Sequence, residues 1–162
     1  MDCSNCGSES ATTQGVYQFR ESGLNNVTLT GIELLTCKEC GNTDPVIPNV
    51  NDLMAALAWH IATRKYRLNG EEVRFLRKYL KMSATEFAKL IATDRSTLSN
   101  WENGKQKIGP QSERLIRSVV LALGDGLKER TEEGVQSFEW LVDEYRPEQM
   151  RVDMDTMEVQ TI

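Results

Sequence analysis

Between Leu53 and Leu123 the apolar positions recur at helical spacing. Leu53, Leu57 and Ile61 form one stripe, which predicts a helix capped by Asp52 and running through about Lys65. Asn69-Gly70 breaks the chain. Val73, Leu76 and Leu80 form the next stripe, with Glu71 and Glu72 at the positive end of the helix dipole and Lys78 and Lys81 at the negative end. Ser83-Ala-Thr-Glu86 reads as a capping box opening a short helix that turns Phe87, Ala88 and Ile91 inward. Asp94 caps a further helix through Asn103, with Gly104 as its stop. Gly109-Pro110 places a proline in the first turn of a last helix, through about Leu123, with Leu115, Val119 and Leu123 as its buried stripe and Ile116 and Val120 widening it. Upstream the period changes. Tyr17/Phe19 and Val27/Leu29 alternate, which predicts short strands. GNTDPVIPNVND, residues 41–52, carries two prolines and several turn formers and reads as the connection, with the linker proper at 45–51. Val135, Phe138, Leu141, Val142 and Tyr145 return to helical spacing until Pro147. QMRVDMDTMEVQTI then alternates in part, as a strand or a frayed tail.

The division that follows is a β domain at 1–44, a linker at 45–51, a helical domain at 52–123 and a C-terminal extension at 124–162. Charge sharpens it. The net charge is -5. Residues 1–50 hold two basic and six acidic side chains, residues 51–123 thirteen and seven, and residues 124–162 four and eleven. A basic middle lies between acidic ends, and a local basic field is what attraction to phosphate requires. The last stretch reads as a solvated acidic extension or as a partner-binding or dimer-supporting segment. No apolar run reaches the roughly 18 residues that span a bilayer. The first residues, MDCSNCGSES, have neither the basic nor the apolar region of a secretory signal. The expectation is a cytoplasmic protein with no membrane partner, in which four cysteines serve as metal ligands or redox groups rather than disulfides.

Cys3-Ser-Asn-Cys6-Gly7 and Cys37-Lys-Glu-Cys40-Gly41 are two C-x-x-C-G turns. Each lets two thiolates reach one metal, and the glycine lets the backbone close around the sulfurs. Two such turns make a four-thiolate site, the pattern of structural zinc. Rubredoxin-like iron and a redox pair are the alternatives. The stretch 1–44 has too few apolar residues to fold without the metal. His60, the one histidine, lies in an apolar helical segment and reads as a helix residue rather than a ligand.

Two short helices joined at Ala92-Thr93 inside a helical bundle make a helix-turn-helix. In that motif the second helix enters the major groove with its N-terminal residues on base edges. Here those are Arg95, Ser96, Ser99 and Asn100. Arginine pairs bidentately with guanine, asparagine with adenine, and serine serves either sense. Lys89, Lys105 and Lys107 are candidate phosphate contacts, which position without reading sequence. Trp101, beside Leu98, reads as core.

RFLRKYLKMSATEFAKLIATDRSTLSNWENGK through the Pro110 helix resembles the Xre/Cro-type helix-turn-helix family, with S-x-x-E-F-A and WENG as the specific parts. Two positions depart from it. Ala84 stands where the family often has Gln, and Ala92 where the turn usually has Gly. The order of a four-cysteine domain, a linker and this motif resembles the MqsA-type (YgiT-type zinc finger) antitoxin family. Cys3, Cys6, Cys37 and Cys40 match its zinc ligands, and YQFR at 17–20 and VTLTGI at 27–32 match its β segment. Ser96 and Asn100 fall where that family's recognition helix contacts bases. The resemblance covers residues 1–123. It implies a homodimer on double-stranded operator DNA of its own promoter, and a small ribonuclease toxin held by the N-terminal domain.

The expected fold class is therefore α+β multidomain, a small four-cysteine zinc-bound β domain followed by an all-α Xre-type helix-turn-helix bundle and the acidic extension. The expected function is a repressor, the antitoxin of a type II toxin–antitoxin system that autoregulates its operon. The alternative is a stand-alone Xre-family transcriptional regulator with a structural or redox-sensing zinc domain. An enzyme is not expected, because four thiolates leave a metal no open position for a catalytic water.

Overall fold

The computed structural model describes residues 1–162. The chain forms two compact units. One comprises Met1–Glu21, Asn25–Leu53 and Glu148–Ile162, the other Ser22–Leu24 and Met54–Pro147.

The first unit is a five-stranded sheet. Strands β1 (Ser10–Gln18) and β2 (Val27–Cys37) pair antiparallel, from Ser10 opposite Cys37 to Gln18 opposite Thr28. Gly15 faces Ile32 and Tyr17 faces Leu29, so Val16 alone stands against both Thr30 and Gly31. This is a bulge, and Gly31 takes the positive φ of 67° that it needs. The extra residue explains why Leu29 and Ile32, three apart, are both buried. Strand β3 (Thr43–Val46) pairs antiparallel with the second half of β2. Along the first half lies β4 (Met150–Asp153), parallel to β2, with Val27 opposite Met150 and Leu29 opposite Val152. Strand β5 (Glu158–Thr161) closes a hairpin on β4. The amide N–H of Met150 donates to the Asn26 carbonyl (2.8 Å), and that of Met154 to the Thr30 carbonyl (3.0 Å). Met150, Val152 and Met154 are buried.

Two expectations are corrected here. The linker at 45–51 is shorter than the sequence suggests. Residues 45 and 46 belong to β3, and helix α1 (Val50–Thr63) begins two residues before Asp52, which lies in its first turn instead of capping it. Nor is 124–162 one extension. Its last residues complete the cysteine-bearing sheet, and the apolar positions there are core of that unit, which adds to what 1–44 can bury by itself.

The second unit holds α2 (Gly70–Tyr79), α3 (Ala84–Leu90), α4 (Arg95–Glu102), α5 (Pro110–Leu123) and α6 (Thr131–Gln136). Helix α2 packs on α4 and α5, and α3 packs on α4. Asn69 is more than a break. Its side chain accepts from the Glu72 amide while Glu72 reaches back to the Asn69 amide, a full capping box one helix earlier than the sequence places it. Ser83 supplies only its own half, accepting from the Glu86 amide at 3.1 Å.

The buried stripe of α5 is also corrected. Leu115 and Leu123 are 41% and 49% exposed, and the buried positions are Glu113, Ile116, Arg117, Val120 and Leu121. The reason lies at the end of α1 and in the chain just past it, where carbonyls are left without a helical partner. The Arg117 guanidinium donates to the carbonyls of Ala62 (3.1 Å), Arg64 (2.6 Å) and Tyr66 (2.6 Å), and to Glu113 Oε1 (2.9 Å). Satisfying them rotates α5 by about one residue and turns Leu115 and Leu123 outward. Past α6 the chain straps back over the loop before α2. The Val142 amide donates to the Lys65 carbonyl and the Arg67 amide to the Glu144 carbonyl, each at 2.9 Å. The Arg67 side chain meets Asp143 at 2.6 Å.

Candidate nucleic-acid interface and metal centre

Helix α3 ends at Leu90 with Ile91 as its C-cap, and Thr93 leads into Asp94, the N-cap of α4. Asp94 accepts from the Thr97 amide (2.7 Å) and hydroxyl (3.1 Å), which hold its carboxyl below the usual carboxylate range. Helix α4 buries Leu98, Trp101 and Glu102. Phe87, Ala88 and Ile91 of α3 are buried as well. Glu102 is buried because it is paired. Arg77 on α2 reaches its two oxygens at 2.7 and 3.3 Å and also donates to the Met82 carbonyl at 3.0 Å. One guanidinium thus ties α2, the loop before α3 and α4 together. At Gly70 a Cβ would stand 2.4 Å from the carbonyl oxygens of both Trp101 and Glu102, so α2 begins directly on the C-terminal carbonyls of α4.

Opposite this buried side Arg95, Ser96 and Ser99 are exposed and Asn100 is half-buried. The side chains of Arg95, Ser96 and Asn100 hold no hydrogen bond or ion pair within the chain and are free to bond elsewhere. Lys89, Lys105 and Lys107 are exposed with no carboxylate partner. The expected base-contacting and phosphate-contacting residues therefore lie on α4, on the α3 surface and in the loop after α4. Sequence reasoning missed Arg77 and Glu102, and also Asn103, which sits four residues after Ser99 on the same stripe and could have been found by that spacing.

Ala92 takes φ 55°, the left-handed conformation that a glycine would adopt freely. The turn keeps its geometry and the alanine is strained. Ala92→Gly removes roughly 1–2 kcal/mol of strain and loses about 0.4–1 kcal/mol to the freer unfolded chain. A net gain of about 0.5–1 kcal/mol is expected, read as a rise of a few degrees in the thermal midpoint. A fall in the midpoint would contradict it.

Residues 70–129 match a family model described as a helix-turn-helix domain. No curated protein matches the chain. The class is set by this match and the geometry above: residues 70–129 carry a helix-turn-helix domain, a module of DNA-binding proteins. No helix is long and apolar enough to cross a membrane.

The cysteines are brought together by the β1–β2 register, which places Ser10 opposite Cys37. The two turns share one geometry. Gly7 N–H donates to the Cys3 carbonyl and Gly41 N–H to the Cys37 carbonyl, each at 3.0 Å, and the glycines take φ 75° and 73°. The Sγ atoms of Cys3 and Cys40 lie 3.6 Å apart, those of Cys6 and Cys37 3.5 Å, and all four fall within 4.8 Å of one another. A tetrahedral metal with sulfur bonds of about 2.3 Å spaces its ligands by roughly 3.8 Å, so the four can hold a metal ion. Hydrogen bonds from the Ser8 hydroxyl and amide pull the Cys6 thiol down to about 6, toward the thiolate that binds metal. Across the two turns, Ser4 Oγ donates to Asp44 Oδ2 (2.6 Å), and Asn42 Nδ2 donates to the same oxygen (3.0 Å) and to Ser4 Oγ (3.2 Å). His60 is half-buried in α1 and outside this cluster.

Proposed function

We propose that this protein is a sequence-specific repressor that binds double-stranded operator DNA. The observation that carries the reading is the uncommitted polar face of α4, where Arg95, Ser96 and Asn100 have no partner in the chain beside unpaired Lys89, Lys105 and Lys107. The lysines dock phosphates, and Arg95, Ser96, Ser99 and Asn100 read bases. Zinc is the ion assigned to Cys3, Cys6, Cys37 and Cys40, with a structural role. Four thiolates complete its shell, so the role of the unit is binding rather than catalysis.

The resemblance to MqsA-type antitoxins supports placing this repressor in a type II toxin–antitoxin operon that it autoregulates in the cytoplasm. The cysteine-bearing unit then holds the toxin. A homodimer is supported by the outward stripe of α5, exposed Leu115 and Leu123 with half-buried Val119 between them, which suits a second copy. Affinity purification of the tagged protein from its own operon tests the reading. A small partner in equal amount, toxic when expressed alone, is expected. Recovery of the protein alone, dimeric and zinc-bound, overturns the antitoxin role and leaves a stand-alone regulator. The exposure of residues Cys6 and Cys40 favours one second reading, in which oxidation by peroxide ejects the metal and alters DNA binding. Unchanged DNA affinity after mild peroxide and a chelator eliminates it.

A further inference from the structure

On the outer face of α4 and its C-cap, Ser96, Ser99, Asn100 and Asn103 succeed one another at helical spacing. Ser99 differs from Ser96 and Asn100 because it is already engaged. Its Oγ accepts from Asn103 Nδ2 at 3.2 Å, and Asn103 Oδ1 accepts from Arg74 Nη2 at 2.9 Å. Arg74 Nε in turn lies 3.7 Å from Glu102, which holds the guanidinium within reach.

The first member of this series fixes its direction. A guanidinium has only donors, so the carboxamide oxygen of Asn103 must face Arg74. The amide nitrogen must then face Ser99, and the Ser99 oxygen must accept. The Ser99 hydroxyl proton is left with no acceptor in the chain. Thr97, by contrast, spends its proton on Asp94. In a series of bonds that all run one way each donor polarises the next, and a full positive charge at its head polarises it most.

We propose that Ser99 reads the duplex as a hydrogen-bond donor, held in that sense by Asn103 and Arg74. A lone serine serves either sense. This one is biased toward a base that offers an acceptor in the major groove: guanine through O6 and N7, thymine through O4, adenine through N7. It is biased away from cytosine, whose edge offers only the N4 amine. Arg74 and Asn103 are positioning residues that set the polarity of a contact made by Ser99. The inference rests on the reading of α4 as the recognition helix.

The test is selection of bound sequences from a randomised duplex pool by the full chain with its metal. Ser99→Ala identifies the position that Ser99 reads, where base preference falls roughly three- to ten-fold, the worth of one neutral hydrogen bond. In the parent that position is depleted of cytosine on the contacted strand. Asn103→Asp reverses the series. A carboxylate cannot donate, so Ser99 donates to it and turns a lone pair outward, and the preference shifts toward the amines of cytosine and adenine. The added negative charge lowers overall affinity, so the ratio between bases is the readout. Arg74→Lys keeps a donor-only head and retains the parent preference, while Arg74→Ala relaxes it. If no position responds to Ser99→Ala, or if Asn103→Asp leaves the base ratios at that position unchanged, the inference is overturned. If the parent itself enriches no sequence, the recognition-helix reading has failed and the inference falls with it. The parent alone therefore tells the two failures apart.

Discussion

Arg117→Ala is expected to destabilise the helical unit by about 3–5 kcal/mol, the cost of removing one partner from a buried ion pair. Arg117 is fully buried, and its Nη1 and Nη2 groups serve three carbonyls at and just past the end of α1 and Glu113 on its own helix. Without it those carbonyls are buried with no donor. Glu113 keeps two others, the Leu68 amide at 2.7 Å and Arg67 Nε at 3.2 Å, but loses the charge that faces it from within the core. Arg117→Met fills much of the volume and still leaves the carbonyls unpaired, so it is expected to recover little. Urea unfolding followed by helical circular dichroism reads both variants. A loss below about 1 kcal/mol, the net worth of one ordinary hydrogen bond, would show that the carbonyls find other donors.

Removal of residues 148–162 is expected to abolish tight metal binding. The deletion takes away β4 and β5, and with them Met150, Val152 and Met154, which are 0%, 0% and 8% exposed. Burial of three such side chains contributes roughly 5–9 kcal/mol, as much as the whole stability of many small domains. Val27 and Leu29 would lose the neighbours that cover them in the sheet. Because the register of β2 brings the two cysteine turns together, a sheet that loosens spreads the four sulfurs. Competition with a chromophoric chelator measures the effect. Parent-like zinc affinity in the shortened chain would mean that the sheet around β1–β3 suffices, as a reading of 1–44 as a complete domain expects.

What was legible in the sequence was what local chemistry specifies. Asp94, Gly104 and the Gly109-Pro110 pair act within a turn of their own helices, and α4 and α5 begin and end where those residues place them. The cysteine turns were legible for the same reason, since each C-x-x-C-G closes on itself. The face of α5 was not. Leu115, Val119 and Leu123 form one apolar stripe and Ile116 and Val120 a second, only about one residue's rotation away. Nothing local to the arginine between them signals burial, because the carbonyls that draw it inward lie at and just past the end of α1. The C-terminal hairpin was hidden more deeply. A four-residue strand carries little periodicity, and its partner is more than a hundred residues upstream in parallel register, with no turn between them to announce the pairing. Shorter but still long separations in sequence hid the bridge from Ser4 to Asn42 and Asp44 and the series from Arg74 to Ser99. Each joins residues that only the fold makes neighbours.

The central claim is that α4 reads bases in the operator of the protein's own gene. The most direct measurement is the affinity of the full chain for the duplex upstream of its reading frame and for a scrambled duplex of equal composition, at one stated salt concentration. The parent is expected to bind the upstream duplex at least about a thousand-fold more tightly. Asn100→Ala and Arg95→Ala are each expected to lose roughly 1–3 kcal/mol of that preference while keeping the affinity for scrambled DNA and the thermal midpoint. Equal affinity of the parent for both duplexes would contradict the claim and leave the lysines as contacts to phosphate alone.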